Sequence, residues 1–226
     1  MPEVGRKIFV TFMMAAVSFG ACGCQLAALF GSEGSNEGKV VAEYNLAEQK
    51  DKKILIFVQQ PVHIRANANI TSRLTQALMG QLMINAKMEA ANFVPIEKLD
   101  NFRQMSNFSS LTPLQVAKSL DAKLLLYVNI DEYLFEQQAD TNSYKGLLNS
   151  KAAVFDVETE QRVWPAGQVG KTIEVGFEAE QKGFEYSLRR LMQASAHCTV
   201  RHLYNCSKEK FKVIEDKSGA GWQEWK

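Results

Sequence analysis

The chain has 226 residues, 46% hydrophobic and 23% charged, with a formal net charge of +1. A balance this close to neutral supplies no basic face for phosphate and argues against a nucleic-acid binder. Setting aside an export segment and a linker leaves about 175 residues, enough for one domain with a core of its own.

The export segment comes first. Arg6 and Lys7 precede an apolar run over residues 8–19, which Gly20, Ala21 and Cys22 close with small side chains. The order basic, apolar, small marks a segment that directs export rather than one that joins a folded core. Because it ends in cysteine, the stretch resembles a bacterial lipoprotein signal, in which that cysteine is acylated on sulfur and becomes the first residue of the mature chain. The resemblance implies a signal over residues 1–21 and lipidation at Cys22, with Cys24 as the alternative in a frame two residues on. It also implies a cell-envelope protein tethered to a membrane and facing the periplasm. In the lipoprotein family an aspartate after the cysteine signals retention at the inner membrane; none follows Cys22 or Cys24, so the resemblance implies the outer membrane. An uncleaved anchor over residues 8–30 would approach the ~20 apolar residues that cross a bilayer. Gly20, Gly23 and Gln25 interrupt it, and its strongest part has the length of a signal core.

Residues 22–52 are expected to be acylated cysteine, tether and lead-in, since residues 31–39 (GSEGSNEGK) are small and polar. The globular domain is expected over 53–207. Residues 53–58 (KILIFV) carry, after Lys53, an unbroken apolar run, which suits a central strand covered on both faces. A helix follows over 67–88, with Ile70, Leu74, Ala77, Leu78, Leu82 and Met88 at three- and four-residue steps and Asn67 or Asn69 as cap. Residues 92–95 (NFVP) are assigned a short second strand, and 96–105 a short helix or turn. Thr112-Pro113-Leu114-Gln115 starts another helix: threonine caps, proline takes the first position and glutamine closes a capping box. Residues 123–137 make a long strand, apolar on both faces as far as Asn129 and half-exposed beyond. Strands are expected over 144–156, 161–164 and from Val169 to Phe177. The last helix is placed at 183–205, with Phe184, Leu188, Leu191, Ser195, Cys198 and His202 on one stripe. Residues 208–226 are expected to be a mobile charged tail.

The order β-α-β-α-β-β-β-α predicts a single mixed α/β domain, with helices packed on a mixed sheet of about five to six strands. Residues 116–133 (VAKSLDAKLLLYVNIDEY) deliver a strand from a helix. In this they resemble periplasmic α/β domains such as the N-terminal domain of the Tol–Pal translocation protein and the curli-secretion lipoproteins. That resemblance implies an assembly or accessory role and brings no catalytic residues.

Several side chains carry candidate chemistry. Cys198 and His202, four apart on a helix, offer two metal positions, but zinc takes three or four protein ligands and His197 points elsewhere. Cys198 is equally explained as a small buried apolar residue, so no metal is expected. A Cys198–Cys206 disulfide suits an oxidising envelope. Eight residues of continuous helix span about 12 Å, so the bridge requires the helix to end near Tyr204 and Asn205. The loop over 59–66 lies at the carboxyl end of the first strand, where open α/β sheets bind ligands; Gln59, Gln60 and His63 make it a candidate polar site. It has no glycine, which excludes a phosphate cradle there. Asp131, Glu132, Glu136, Asp156, Glu158 and Glu160 fall at strand ends and turns, where carboxylates are normally solvated, and no serine stands in a nucleophile elbow. Trp222 and Trp225, among charges, could anchor a partner. No cofactor is implied. The expected function is a membrane-anchored, non-enzymatic binding domain for another envelope protein. The alternatives are an envelope enzyme or a small-molecule binding module, with its site at residues 59–66.

Overall fold

The computed structural model describes residues 38–64, 69–139, 141–167 and 169–218; Cys22, Cys24, Asn67, Trp222 and Trp225 lie outside these. In chain order the strands are β1 (Lys39–Val40), β2 (Ile54–Gln59), β3 (Leu124–Gln137), β4 (Tyr144–Asp156), β5 (Arg162–Trp164), β6 (Lys171–Glu180) and β7 (Cys206–Ser207). The helices are α1 (Ile70–Asn85), α2 (Ile96–Arg103), α3 (Pro113–Ser119), α4 (Phe184–Val200) and α5 (Lys208–Phe211). This is a single mixed α/β domain. A five-stranded sheet runs β2-β3-β4, with β5 and β6 both paired to the far side of β4, and β1 and β7 form a separate two-stranded ladder.

The apolar run at β2 does what its composition demands. It pairs in parallel with β3, Ile54 beside Leu124 through Gln59 beside Asn129. Side chains alternate across the pleat, and both sets are buried. Ile54, Ile56 and Val58 join Leu124, Leu126 and Val128 under α1 and α4. Leu55, Phe57 and Leu125 join Leu99, Val116, Ala117 and Leu120 on the opposite face, under α2 and α3. The other pairings are antiparallel. A bulge at Asp131 marks where β3 leaves its doubly covered part. Gly146 of β4 admits a close approach: a Cβ there would lie 2.9 Å from Phe177 Cζ and 3.3 Å from Leu191 Cδ2.

The helices begin where their capping residues stand. Asn69 accepts from Ser72 N at 3.2 Å to open α1, and Ile70, Leu74, Leu78 and Leu82 form its buried stripe. Thr112 and Gln115 make the expected reciprocal box (3.3 and 2.8 Å), with Pro113 first in α3.

Four expectations are corrected. Residues 92–95 do not form a strand. Asn92 ends a 3-10 turn, Phe93 makes one parallel bridge to Ile54, and Pro95 already caps α2, so only a single pair has room to form. The domain starts at Lys39 rather than residue 53, because β1 pairs with β7 and Leu46 is wholly buried. Helix α4 ends at Val200, and the chain turns through Arg201–Tyr204 into β7.

The fourth correction concerns residues 208–218, which pack on the domain instead of forming a tail. Phe211 is buried, Lys217 N donates to Glu174 O at 2.8 Å and Gly176 N to Glu215 O at 2.9 Å, adding a short extended segment to the outer edge of β6. Arg190 Nε binds Glu215 at 2.7 Å, and buried Arg201 forks between Phe211 O (2.6 Å) and the Asp216 carboxylate. Burial works against the charge on Asp216, but Ser218 and Arg201 outweigh it and hold the carboxyl below its ordinary range.

Two measurements check this architecture. Ile56→Ala should cost about 2–5 kcal/mol in denaturant melts, as large-to-small core changes do; a loss near zero would remove β2 from the centre. Asp216→Ala should cost about 3–5 kcal/mol by stranding the buried Arg201 charge, and amide exchange should show Lys217 losing its protection.

Candidate functional site

The loop after β2 is closed upon itself. Gln59 Oε1 accepts from the Tyr127 hydroxyl at 2.7 Å, and Gln60 Nε2 donates to Ile64 O at 2.6 Å. His63 is exposed, and the structure does not bring it to Gln59, Gln60 or a carboxylate. Beside the loop, Asn129 donates to Asp131 at 2.7 Å and Lys151 lies 3.2 Å from the same carboxylate. Burial and the Asp131 charge raise the Tyr127 phenol. Apart from His63, each of these polar side chains has a hydrogen-bond or ion-pair partner within the domain.

At the end of α4 the titratable residues part company. Cys198 and Cys206 are buried free thiols, so the bridge considered between them is not formed. Burial pushes Cys198 up to about 12, and Cys206 Sγ lies 3.2 Å from Tyr204 Oη. His197 Nε2 faces Lys210 O at 2.6 Å, whereas His202 Nδ1 faces Glu43 Oε1 at 2.9 Å, so the two histidines turn to different partners and neither is directed at Cys198. Among the described residues no group of three or more His, Cys, Asp or Glu side chains converges as a metal would require.

Glu43, read from the sequence as lead-in, is the hub of a clasp. Its carboxylate meets His202 at 2.9 Å and accepts from Trp164 Nε1 at 2.8 Å and Lys171 Nζ at 2.6 Å. The hydrogen bond from His202, then those from Lys171 and Trp164, outweigh burial and hold Glu43 at about 2. Burial, against the pull of Glu43, lowers His202. His202 Nε2 is buried without a partner and its ring stands edge-on to Phe211, so no reacting atom has access to it. The clasp ties the N-terminal residues to α4 and the β5–β6 turn.

An open cleft of about 370 Å3 lies between α1 and α4. Helical spacing builds it: Arg73, Gln76 and Ala77 share one face of α1, and Glu185, Arg189, Met192 and Gln193 one face of α4. Arg73 and Glu185 span it in a two-pronged pair at 2.9 and 3.2 Å. Ala77 and Met192 supply its apolar part. Aromatic rings continue from the start of α4: Phe184 stands edge-on to Phe135 (5.4 Å) and Tyr144 (5.9 Å), and Tyr133 stacks on Phe135 at 6.5 Å. Burial lifts the Tyr133 phenol to about 12 against the opposing charge of Arg73. Tyr186 is flanked by Lys182 Nζ at 4.7 Å and the Arg189 guanidinium at 6.0 Å from its ring. The arginine and glutamine stripes are legible in the sequence; that they face each other is not.

No protein-family model matches the chain, and no curated protein is significantly similar to it. Three solved structures are similar in backbone course. Lipoprotein GNA1162 from Neisseria meningitidis is 16% identical over 63% of this chain and 94% of its own (TM-score 0.41). The PelC dodecamer from Paraburkholderia phytofirmans is 11% identical over 74% and 94% (TM-score 0.43). The LpoB C-terminal domain from Salmonella enterica is 16% identical over 67% and 91% (TM-score 0.32). Likeness at this level assigns no residue of this chain a role.

The clasp makes stability depend on pH in a fixed direction. Glu43 titrates at about 2 when folded and ordinarily at 4.5, so its contribution is complete above 4.5 and drains away as the pH falls toward 2. Folded His202 resists protonation below its ordinary 6.5, so acid favours the unfolded chain there too. Melting temperature should therefore fall on acidification from pH 7, first below 6.5 and further below 4.5. His202→Gln should flatten the upper limb; His197, also lowered by burial, is common to both proteins and cancels. Parallel wild-type and variant curves between pH 7 and 5 would show that the clasp is not the cause.

Proposed function

We propose that the chain is an envelope lipoprotein, acylated at Cys22 (Cys24 in the alternative frame), whose α/β domain engages another envelope protein without doing chemistry on it. The observation that carries this reading is the α1–α4 cleft with its aromatic rim. Arginine, tyrosine and phenylalanine beside a concave, partly apolar trough are what protein-binding centres are enriched in. At the sheet end where the alternative enzyme or small-molecule site would lie, Gln59, Gln60, Asn129 and Asp131 are already engaged in hydrogen bonds and His63 stands apart from them. Among the described residues no helix is long and apolar enough to cross a membrane; in this reading the acylated N-terminus makes the attachment. Each buried methylene of an acyl chain contributes about 0.8 kcal/mol, and two or more chains hold a protein stably. The absence of an aspartate after Cys22 supports the outer membrane.

Cys22→Ser should abolish fatty-acid labelling and release the protein from the membrane fraction. Label retained in Cys22→Ser and lost in Cys24→Ser would move the site two residues; label on neither would end the lipoprotein reading. A photo-cross-linker at Gln193, in the cleft, should capture one discrete envelope protein in cells, and Ala77→Trp should abolish that capture. Equal capture from Lys123, an exposed residue just before β3 and outside the cleft, would mean that the cleft is not the binding surface.

A further inference from the structure

Resting on the reading of the cleft as a docking surface, we infer that its occupant is an acidic segment of the partner protein. The partner's carboxylate would replace Glu185 on Arg73. Charge complementarity is the first argument. The cleft holds two guanidiniums, Arg73 and Arg189, against the single carboxylate of Glu185. The guanidinium fork matches a carboxylate in two-pronged fashion, and Glu185 already displays that geometry on Arg73 at 2.9 and 3.2 Å.

The second argument is that this internal pair can be exchanged. The Glu185 side chain is 67% exposed and that of Arg73 38%, and an exposed pair of this kind contributes little to folding. Glu185 therefore holds Arg73 in its binding rotamer while water still reaches both groups. A carboxylate arriving with further contacts, to Arg189 and over the half-buried Ala77, exchanges one ion pair for another and gains the rest. Gln76 and Gln193 each present an amide that can pair with the backbone of the arriving segment.

The alternative anion, a phospholipid headgroup, suits the site less well. Lipid surfaces are recognised by clusters of four to eight Lys or Arg, whereas this trough has two guanidiniums and an apolar floor.

The test uses the full acylated chain in detergent and a labelled twelve-residue peptide of glutamate, alanine and leucine. Its twin has glutamine in place of glutamate. The glutamate peptide should bind at least about ten-fold tighter than its twin, and Arg73→Gln with Arg189→Gln should remove that preference. Arg73→Lys, which keeps the charge and loses the fork, should remove most of it. Glu185→Gln should tighten binding about two- to five-fold, the range in which an exposed pair competes; a folding defect would not produce a gain. Equal affinity for the two peptides, or no change in Glu185→Gln, overturns the acidic occupant. Capture from Gln193 in cells would then still uphold docking, so the two failures are distinguishable. Vesicles of phosphatidylglycerol that displace the peptide from the unacylated Cys22→Ser chain would also overturn the inference, in favour of a membrane ligand.

Discussion

Two strands that run the same way, with no water on either side, set the terms for the whole domain. β2 and β3 cannot be joined by a tight turn, because parallel neighbours require a crossover. Here the crossover carries α1, α2 and α3, and these supply the cover that a doubly buried pair needs. α1 goes to one face, where α4 later joins it, and the two short helices go to the other. The sheet then grows antiparallel from β3, and its second face beyond Asn129 is left to ion pairs such as Lys151–Asp131.

The second organising point is the end of α4, where both ends of the domain return. β1 lies on β7, Glu43 reaches His202, and Asp216 is drawn in by Arg201. These two polar contacts differ in kind. Glu43 is partly open to solvent and gathers three donors, whereas Arg201 and Asp216 are both buried. A buried ion pair adds little over well-packed apolar residues of the same size. What it does here is fix position: the C-terminal segment has one register on β6 that brings its carboxylate to the guanidinium.

Much of this was legible in the sequence, for reasons that differ by element. β2 could be read because five successive residues, Ile54 to Val58, refuse water on either face. α3 could be read because Thr112, Pro113 and Gln115 each do a local job at a fixed offset. The change in β3 at Asn129 was visible where an unbroken apolar run gives way to alternation with polar residues. Residues 39–52 and 208–218 were not legible, because single side chains such as Leu46, Phe211 and Asp216 hold them across long sequence distances, and one buried residue makes no period. Phe93 failed as a strand for the converse reason: its apolar neighbours look extended, but Pro95 starts a helix two residues on. The cleft was half legible. Arg73 and Gln76, like Glu185 and Arg189, look like a solvated polar face until the packing of α1 against α4 sets them opposite one another.

The two-residue ladder between β1 and β7 has a mechanical consequence. Tension applied through the N-terminus reaches the domain at Lys39 and is borne first by the pairs Lys39–Ser207 and Val40–Cys206. Next in line are the bonds that Glu43 and Tyr44 N–H groups make to His202 O, with the Glu43 carboxylate behind them. Strands β3, β4 and β6 of the five-stranded sheet are joined to one another by longer ladders, and the sheet meets this path through Trp164 and Lys171 on the Glu43 carboxylate. The domain's hem therefore yields before its cloth, and the α1–α4 face keeps its shape while the margin takes the strain.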